Sequence, residues 1–533
     1  MKKLILLLAI GLLNAVMIAA DVRMPLLFGD HMVLQQNTKL TIRGWADPGE
    51  KVSVIFAGNT RKTTASADGS WEMNFKPLKP KSKGETLTIK GNNTLLFQDV
   101  LVGDVWVASG QSNMEWGIKN KAYTDDVDKS DDPLLRLFFV PKNTSLQPLS
   151  DIRIPDDVQN PEWAARWVLC TPEALNKING QGFSSTAYYF ARDIRKATGQ
   201  AIGVIQSAWG GTRAEAWTSL SGLDSEPVLS RYIAFYEKNV KDNPIISVDY
   251  KEKKAAWDIA VKGWNETAPR PEEPKKPDGG NNGPTNLFNA MISPLIPFAI
   301  KGVIWYQGEF NSGGSAKEYA TLFPTMISDW RKKWGIGDFP FVFVQLPNYG
   351  PVDNDPNAEG EKWRWVRDAQ TKTLALPNTA MAVTIDVGDP FDMHPIDKYD
   401  VGHRLALVTR QTIYGEKING SSPMYDNMTI DGNRIILTFK NKGSGLVLGT
   451  SPYIPAGEQA QASPTRLTGF AIAGPNCEFI WADAVIDGNK VIVSNANVQN
   501  PVAVRYAFSN NPICNLYNKE GLPASPFRTD DWE

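Results

Sequence analysis

The chain has 533 residues, 42% hydrophobic, 10% aromatic and 21% charged, enough for roughly three or four folding units and too apolar for a disordered or collagen-like chain. Its 56 Lys and Arg nearly balance 58 Asp and Glu, and the net charge of −2 offers no footprint for nucleic acid or an anionic membrane surface. A neutral or small substrate is therefore expected, and His31, His394 and His403 are the only imidazoles that any neutral-pH proton transfer can use.

In chain order, residues 1–20 read as a secretory signal peptide: Lys2 and Lys3, the apolar run Leu4 to Ile18, then Ala19-Ala20 before Asp21. The expected mature protein is periplasmic or secreted, without stable membrane insertion, because no later apolar run is long enough to span a bilayer. Cys170, Cys477 and Cys514 are odd in number, which leaves at least one thiol unpaired, and they lack metal-finger spacing. Residues 21–98 alternate with period two, as in Leu40 and Ile42, Val52, Val54 and Phe56, then Leu87 and Ile89, with turns at Asp47-Pro48-Gly49 and Asp68-Gly69. This pattern predicts an N-terminal β-sandwich.

Residues 99–418 change to short apolar strands alternating with helices, the mark of an α/β unit around a parallel sheet. Candidate strands are Asp104–Ala108, Ala201–Ser207, Gly302–Tyr306, Phe341–Leu346 and Thr379–Asp386. Tyr319, Leu322, Phe323, Met326, Ile327 and Trp330 share one helix face, and Ala187, Phe190, Ala191 and Ile194 share another that ends at Gly199. A segment at about 225–285, helical over Tyr250–Trp264 and Pro-rich over Ala268–Pro284, reads as an inserted surface loop. Residues 419–533 return to hairpins at Asp431-Gly432-Asn433 and Asp487-Gly488-Asn489, predicting a C-terminal β-sandwich.

Open parallel sheets carry their working groups in the loops after the strands' carboxyl ends. Four such loops hold chemistry: Ser109-Gly110-Gln111-Ser112-Asn113-Met114, Trp209-Gly210-Gly211-Thr212, Gln307-Gly308-Glu309 with Asn311, and Gly388-Asp389-Pro390-Phe391-Asp392-Met393-His394-Pro395. They suit acyl transfer. A serine hydroxyl needs an imidazole to take its proton, a carboxylate to orient that imidazole, and N–H donors for the oxyanion. Ser112, His394, an Asp of the last loop, Gly210 and Gln307 fill those roles in order.

Taken together, Gly110-Gln111-Ser112-Asn113-Met114, Ser207-Ala-Trp-Gly-Gly-Thr212, Trp305-Tyr-Gln-Gly-Glu309 and Asp392-Met-His-Pro395 resemble the sialate O-acetylesterases, within the SGNH (GDSL-like) hydrolases. Asp30-His-Met-Val-Leu-Gln35, Asn289-Ala-Met-Ile-Ser-Pro294, Pro340-Phe-Val-Phe-Val-Gln345 and Arg367-Asp-Ala-Gln370 extend the resemblance from about residue 24 to about residue 410. It implies a three-layer α/β/α catalytic domain between the two β-sandwiches, Ser112 as nucleophile, His394 as base, and an oxyanion hole from the Ser112 and Gly210 amides plus a side-chain amide. Many SGNH hydrolases have Asn at that last position, whereas this chain has Gln307, with Asn311 as the alternative. The usual acid stands three residues before the His, but Phe391 occupies that place, so Asp392 is the first candidate and Asp389 the second.

The function so implied is hydrolysis of carbohydrate O-acetyl esters, most directly those of sialic acids, through an acetyl-serine intermediate. Another acetylated glycan such as xylan is the alternative substrate, and a non-catalytic carbohydrate-binding protein is the alternative class. Trp209 and Glu309 are candidate substrate contacts, with core packing and loop ordering as their respective alternative roles, and no cofactor or metal is expected. His403 and His31 read as structural, the first within a helix over Lys398–Tyr414 and the second at a turn. The acidic group Asp386, Asp389, Asp392, Asp397 and Asp400 carries an alternative reading as carboxylate ligands for a hard cation such as Ca²⁺.

Overall fold

The computed structural model describes residues 21–120, 124–262, 264, 271–272, 274, 279–352, 355–357, 363–451 and 462–532. The signal-peptide segment and most of the Pro-rich stretch lie outside these residues.

The N-terminal residues form β1 (Val33–Gln35), β2 (Leu40–Trp45), β3 (Lys51–Phe56), β4 (Asn59–Thr64), β5 (Ser70–Phe75), β6 (Lys81–Lys90) and β7 (Thr94–Gly110). β2 pairs with β5, and β4, β3, β6 and β7 join edge to edge. The 17-residue β7 belongs to two environments. Its first part pairs antiparallel with β6 and alternates exposed and half-buried residues, while everything from Val100 to Gly110 is buried. A strand with water on one face alternates; one covered on both faces reads as a continuous apolar run. The boundary expected at 98/99 thus falls inside a single strand, and one apolar core runs from Val22 and Leu27 through to Leu405 and Val408.

The second part of β7 is the centre of a sheet with β8 (Asp132–Phe139), β9 (Trp167–Cys170), β10 (Ile202–Ala208), β11 (Gly302–Tyr306), β12 (Phe341–Val344) and β13 (Thr379–Ala382). The order is β13-β12-β11-β7-β10-β8-β9, parallel except for the β8–β9 edge pair. After β7 the chain runs out to β8 and the edge strand β9, returns to β10 between β7 and β8, then crosses to β11 on the other flank. Loops leaving β7, β10 and β11 therefore part at their carboxyl ends, where open α/β sheets keep ligand crevices.

Helices cover this sheet. Ser185–Thr198 is capped by the Ser184 hydroxyl and closed by Gly199 at φ +68°, and it packs on Lys398–Thr412. Tyr319–Trp334 packs on Trp363–Thr373. In the segment expected as an insertion, the helix anticipated over Tyr250–Trp264 starts earlier, and Ser230–Lys262 is one 33-residue helix.

At the C-terminus, Met424–Asp431, Arg434–Lys440, Lys490–Ser494 and Asp483–Asp487 form one antiparallel sheet, and Phe479–Trp481, Phe470–Ala473, Ala503–Tyr506 and Phe527–Arg528 form another. Ile435, Leu437 and Val493 from the first share a core with Phe470, Val504 and Tyr506 from the second. This β domain is fastened to the α/β unit by buried polar bonds: Tyr517 donates to Asp386 Oδ2 at 2.9 Å, and Arg367 donates to the Ser509 and Asn510 carbonyls.

Candidate active site

β7 ends in a turn that only glycine can make. Gly110 lies at φ +136°, and a Cβ there would stand 2.1 Å from the Tyr306 carbonyl oxygen. The turn starts the short helix Ser112–Glu115 with Ser112 half-exposed. The loop after β13 brings His394 to it: Ser112 Oγ and His394 Nε2 are 2.9 Å apart, and His394 Nδ1 is 3.0 Å from Asp392 Oδ1. An Nδ1–H donated to Asp392 fixes the tautomer in which Nε2 accepts the Ser112 proton. Asp392 reaches the ring despite its short tether because the same Oδ1 also accepts the His394 backbone N–H at 2.8 Å, folding the three residues into a tight turn. Asp389 accepts from the Phe391 and Asp392 amides at 2.8 and 3.3 Å, so it shapes the loop from behind. The Trp116 ring backs the imidazole at 5.0 Å.

The expected oxyanion donors divide. The Ser112 amide opens its helix ahead of the first laddered amides, those of Met114 and Glu115 on the Gln111 carbonyl, and needs no intrahelical acceptor. Gly210 packs directly against Ser112, since a Cβ on it would lie 3.1 Å from Ser112 Cβ, but its N–H donates to Glu115 Oε2 at 2.6 Å. The other Glu115 oxygen pairs with the Lys142 ammonium.

Gln307 departs from expectation. Its Nε2 hydrogens go to the Thr212 carbonyl at 3.1 Å and Asn311 Oδ1 at 2.6 Å, and its Oε1 accepts from the Tyr319 hydroxyl at 2.9 Å. Asn311 is no substitute, because its own Nδ2 donates to Glu215 Oε2 and Ser315 Oγ. A buried primary amide must satisfy its donors inside the protein, and these two knit the loops after β10 and β11 together.

Of the two roles open to Glu309, its surroundings match the loop-ordering carboxylate. It is buried, it accepts from Asn113 Nδ2 at 2.6 Å, and burial pushes its carboxyl above the usual range. Across Asn113 stands Lys398, unforeseen in the sequence, whose Nζ donates to Asn113 Oδ1 at 2.6 Å and to the Pro395 carbonyl. Burial brings its ammonium pKa down to about 7, opposed by the attraction of Glu309. Asn113 Nδ2 also donates to the Met393 carbonyl at 2.9 Å. Asn113 thus holds one neighbour of His394 directly and the other through Lys398.

The remaining candidates are placed as follows. Trp209 flanks a cleft next to Gly210. His403 Nδ1 pairs with Asp193 at 2.6 Å, and His31, at φ +64°, pairs with Asp99 at 2.8 Å. Asp386 is gripped by both Arg404 nitrogens, and Asp397 caps the helix Lys398–Thr412. Among the described residues no three His, Cys, Asp or Glu side chains converge as a metal site, and the three cysteines are free thiols.

A hydroxyl, an imidazole and a carboxylate in line at the end of a parallel strand form the arrangement of serine hydrolases. Residues 280–409 match the family described as carbohydrate esterase, sialic acid-specific acetylesterase. A solved carbohydrate acetylesterase from Xanthomonas citri is 35% identical, with a TM-score of 0.76 over 96% of this chain and 100% of its own. The sialate O-acetylesterases of Mus musculus and Homo sapiens are each 28% identical over 93% of this chain and 92% and 90% of theirs. The chain belongs to this carbohydrate esterase family, and it is a carboxylic ester hydrolase.

Proposed function

We propose that this esterase removes O-acetyl groups from sialic acids by way of an acetyl-Ser112 intermediate. The names of the matched family and of the mouse and human relatives supply the substrate class. The observation that carries the mechanism is the 2.9 Å approach of Ser112 Oγ to His394 Nε2, with Asp392 on the far nitrogen.

In this reading Ser112 Oγ attacks the acetyl carbonyl carbon as its proton passes to Nε2, and the Ser112 amide donates to the developing oxyanion. The Gly210 amide becomes a second donor when Glu115 releases it. Collapse breaks the bond to the sugar oxygen, which takes the proton from His394. A water then gives its proton to the same nitrogen, attacks the acetyl group, and acetate leaves as Ser112 Oγ is reprotonated. Asp392 stabilises the imidazolium at each step. The finer architecture, a three-layer SGNH domain between two β-sandwiches, belongs to the same reading, as does export: Lys2, Lys3 and the apolar run to Ile18 support a cleaved leader and a periplasmic or secreted enzyme.

The test is acetate release from a panel of O-acetylated sialic acids and acetylated xylan fragments, with Ser112→Ala as control. Preference for the sialic acids is expected; faster turnover of xylan fragments would transfer the substrate assignment, and undiminished release by Ser112→Ala would remove the mechanism.

A further inference from the structure

A cleft of about 410 Å³ opens beside the nucleophile, within the size range of small-ligand sites. Glu115, one helical turn from Ser112, and Trp209, the neighbour of Gly210, form the wall nearest the reacting atoms. Lys142, Asn143 and Thr144 from the segment after β8 form another, and Gln159 and Asn179 lie across from them. An aromatic face among amide side chains is the chemistry that holds a sugar ring and its hydroxyls.

Two details point to a ligand. Asn143, in the cleft wall, has an Nδ2 with no hydrogen-bond partner among the described residues. Lys142 is a third exposed, lies 5.7 Å over the Trp209 ring and gives one of its three ammonium donors to Glu115. The others are left for the cleft. The acidic groups facing it are Glu115, already held by the Gly210 amide and by Lys142, and Asp157, an exposed residue screened by solvent.

We propose that this cleft is the sugar subsite, with Trp209 as its platform and the Lys142 ammonium as the group that receives the substrate's carboxylate. The proposal rests on the reading above, in which the acetyl ester lies at Ser112. It makes Lys142 a specificity residue, the one that tells an acidic acetylated sugar from a neutral one.

The experiment compares kcat/KM of the full-length enzyme on an O-acetylated sialic acid and on its carboxyl methyl ester, the same sugar without the charge. The parent should prefer the acid by about tenfold or more, the scale of a charge-assisted hydrogen bond. Lys142→Gln should bring that ratio close to one, mainly through KM for the acid, and Lys142→Arg should restore most of it. Dividing by turnover of p-nitrophenyl acetate, which carries no sugar, removes any disturbance passed through Glu115 to the Ser112 machinery. A ratio unchanged in Lys142→Gln, or a parent that does not distinguish the two substrates, overturns the proposal. Should Lys142→Gln fail to fold, the parent's preference must shrink as salt rises, and a salt-independent preference overturns it equally. Failure of the underlying reading shows separately, as p-nitrophenyl acetate turnover that survives Ser112→Ala.

Discussion

Asn113 and Lys398 join the two halves of the site: the Lys398 Nζ donates to Asn113 Oδ1 at 2.6 Å across 285 residues of sequence. The same ammonium holds the Pro395 carbonyl and the same amide holds that of Met393, so both sides of His394 are tied to the residue that follows Ser112. The hydroxyl–imidazole distance is therefore set by a buried polar network as well as by the loop. Lys398→Met should lower kcat by about tenfold or more with a smaller change in KM, because loss of positioning weakens the transition state more than substrate binding. Equal kcat in the variant would show that the loop holds His394 unaided.

Lys398 also predicts a pH dependence of stability. Burial holds its pKa at about 7 against an ordinary 10.5, so between those values the unfolded chain binds a proton that the folded chain does not. Stability then rises with pH across this window by about 1.4 kcal/mol per unit for this one group, and the contribution is flat below it. Lys398→Met deletes the dependence. Urea unfolding near pH 7.5 and 9.5 should show the parent gaining relative to the variant; a constant difference would place the ammonium in a solvated setting.

The carboxylate assignment separates two neighbours. Asp392→Asn should lower kcat by at least about 10²-fold, toward the lower part of the range for a triad acid because the Asp392 side chain is 52% exposed. Asp389→Asn retains an acceptor for the Phe391 amide and should stay within about tenfold. The pair is read from kcat across pH 5 to 9, and a larger loss in Asp389→Asn would reverse the roles.

Gln307→Ala should behave as a structural lesion. Removing an amide that bonds Thr212, Asn311 and Tyr319 leaves buried partners unsatisfied, at about 1–3 kcal/mol for each group so left. Melting temperature should fall, and kcat per folded molecule should lose less than the roughly 10²–10³-fold expected of an oxyanion donor. A loss of that size with unchanged melting would return Gln307 to the oxyanion hole.

Much of this was legible in the chain. β11 coincides with its expected bounds, and β10, β12 and β13 lie within a few residues of theirs, because buried parallel strands are short apolar runs bracketed by turn residues. β8 escaped because Asp132-Pro133 opens it and polar Arg136 interrupts it, although Arg136 lies buried against Asp99. β7 is legible as a strand only in its fully buried half, since the alternation of its first residues belongs to the pattern of residues 21–98. At the site, Ser112 and His394 stand out through residue type and loop position, and Asp392 only as the first of two candidates; the structure brings the three within hydrogen-bond distance. Lys398 did not, because a lysine at the start of a helix ordinarily faces water, and nothing local shows that Asn113 and Glu309 fold over it. Gln307 misled for a related reason: sequence gives an amide's position in a motif, and only the tertiary structure shows which acceptors take its hydrogens.

The central claim is that Ser112 is the nucleophile, and kcat of Ser112→Ala on an O-acetylated sialic acid tests it most directly. The half-exposed side chain fills no core space, so the variant should keep the parent's melting temperature. It should lose several powers of ten in turnover, leaving at most the residual of about 10³–10⁴-fold over water that binding and the oxyanion donors provide. Turnover within tenfold of the parent, in protein shown to be folded, would contradict the account.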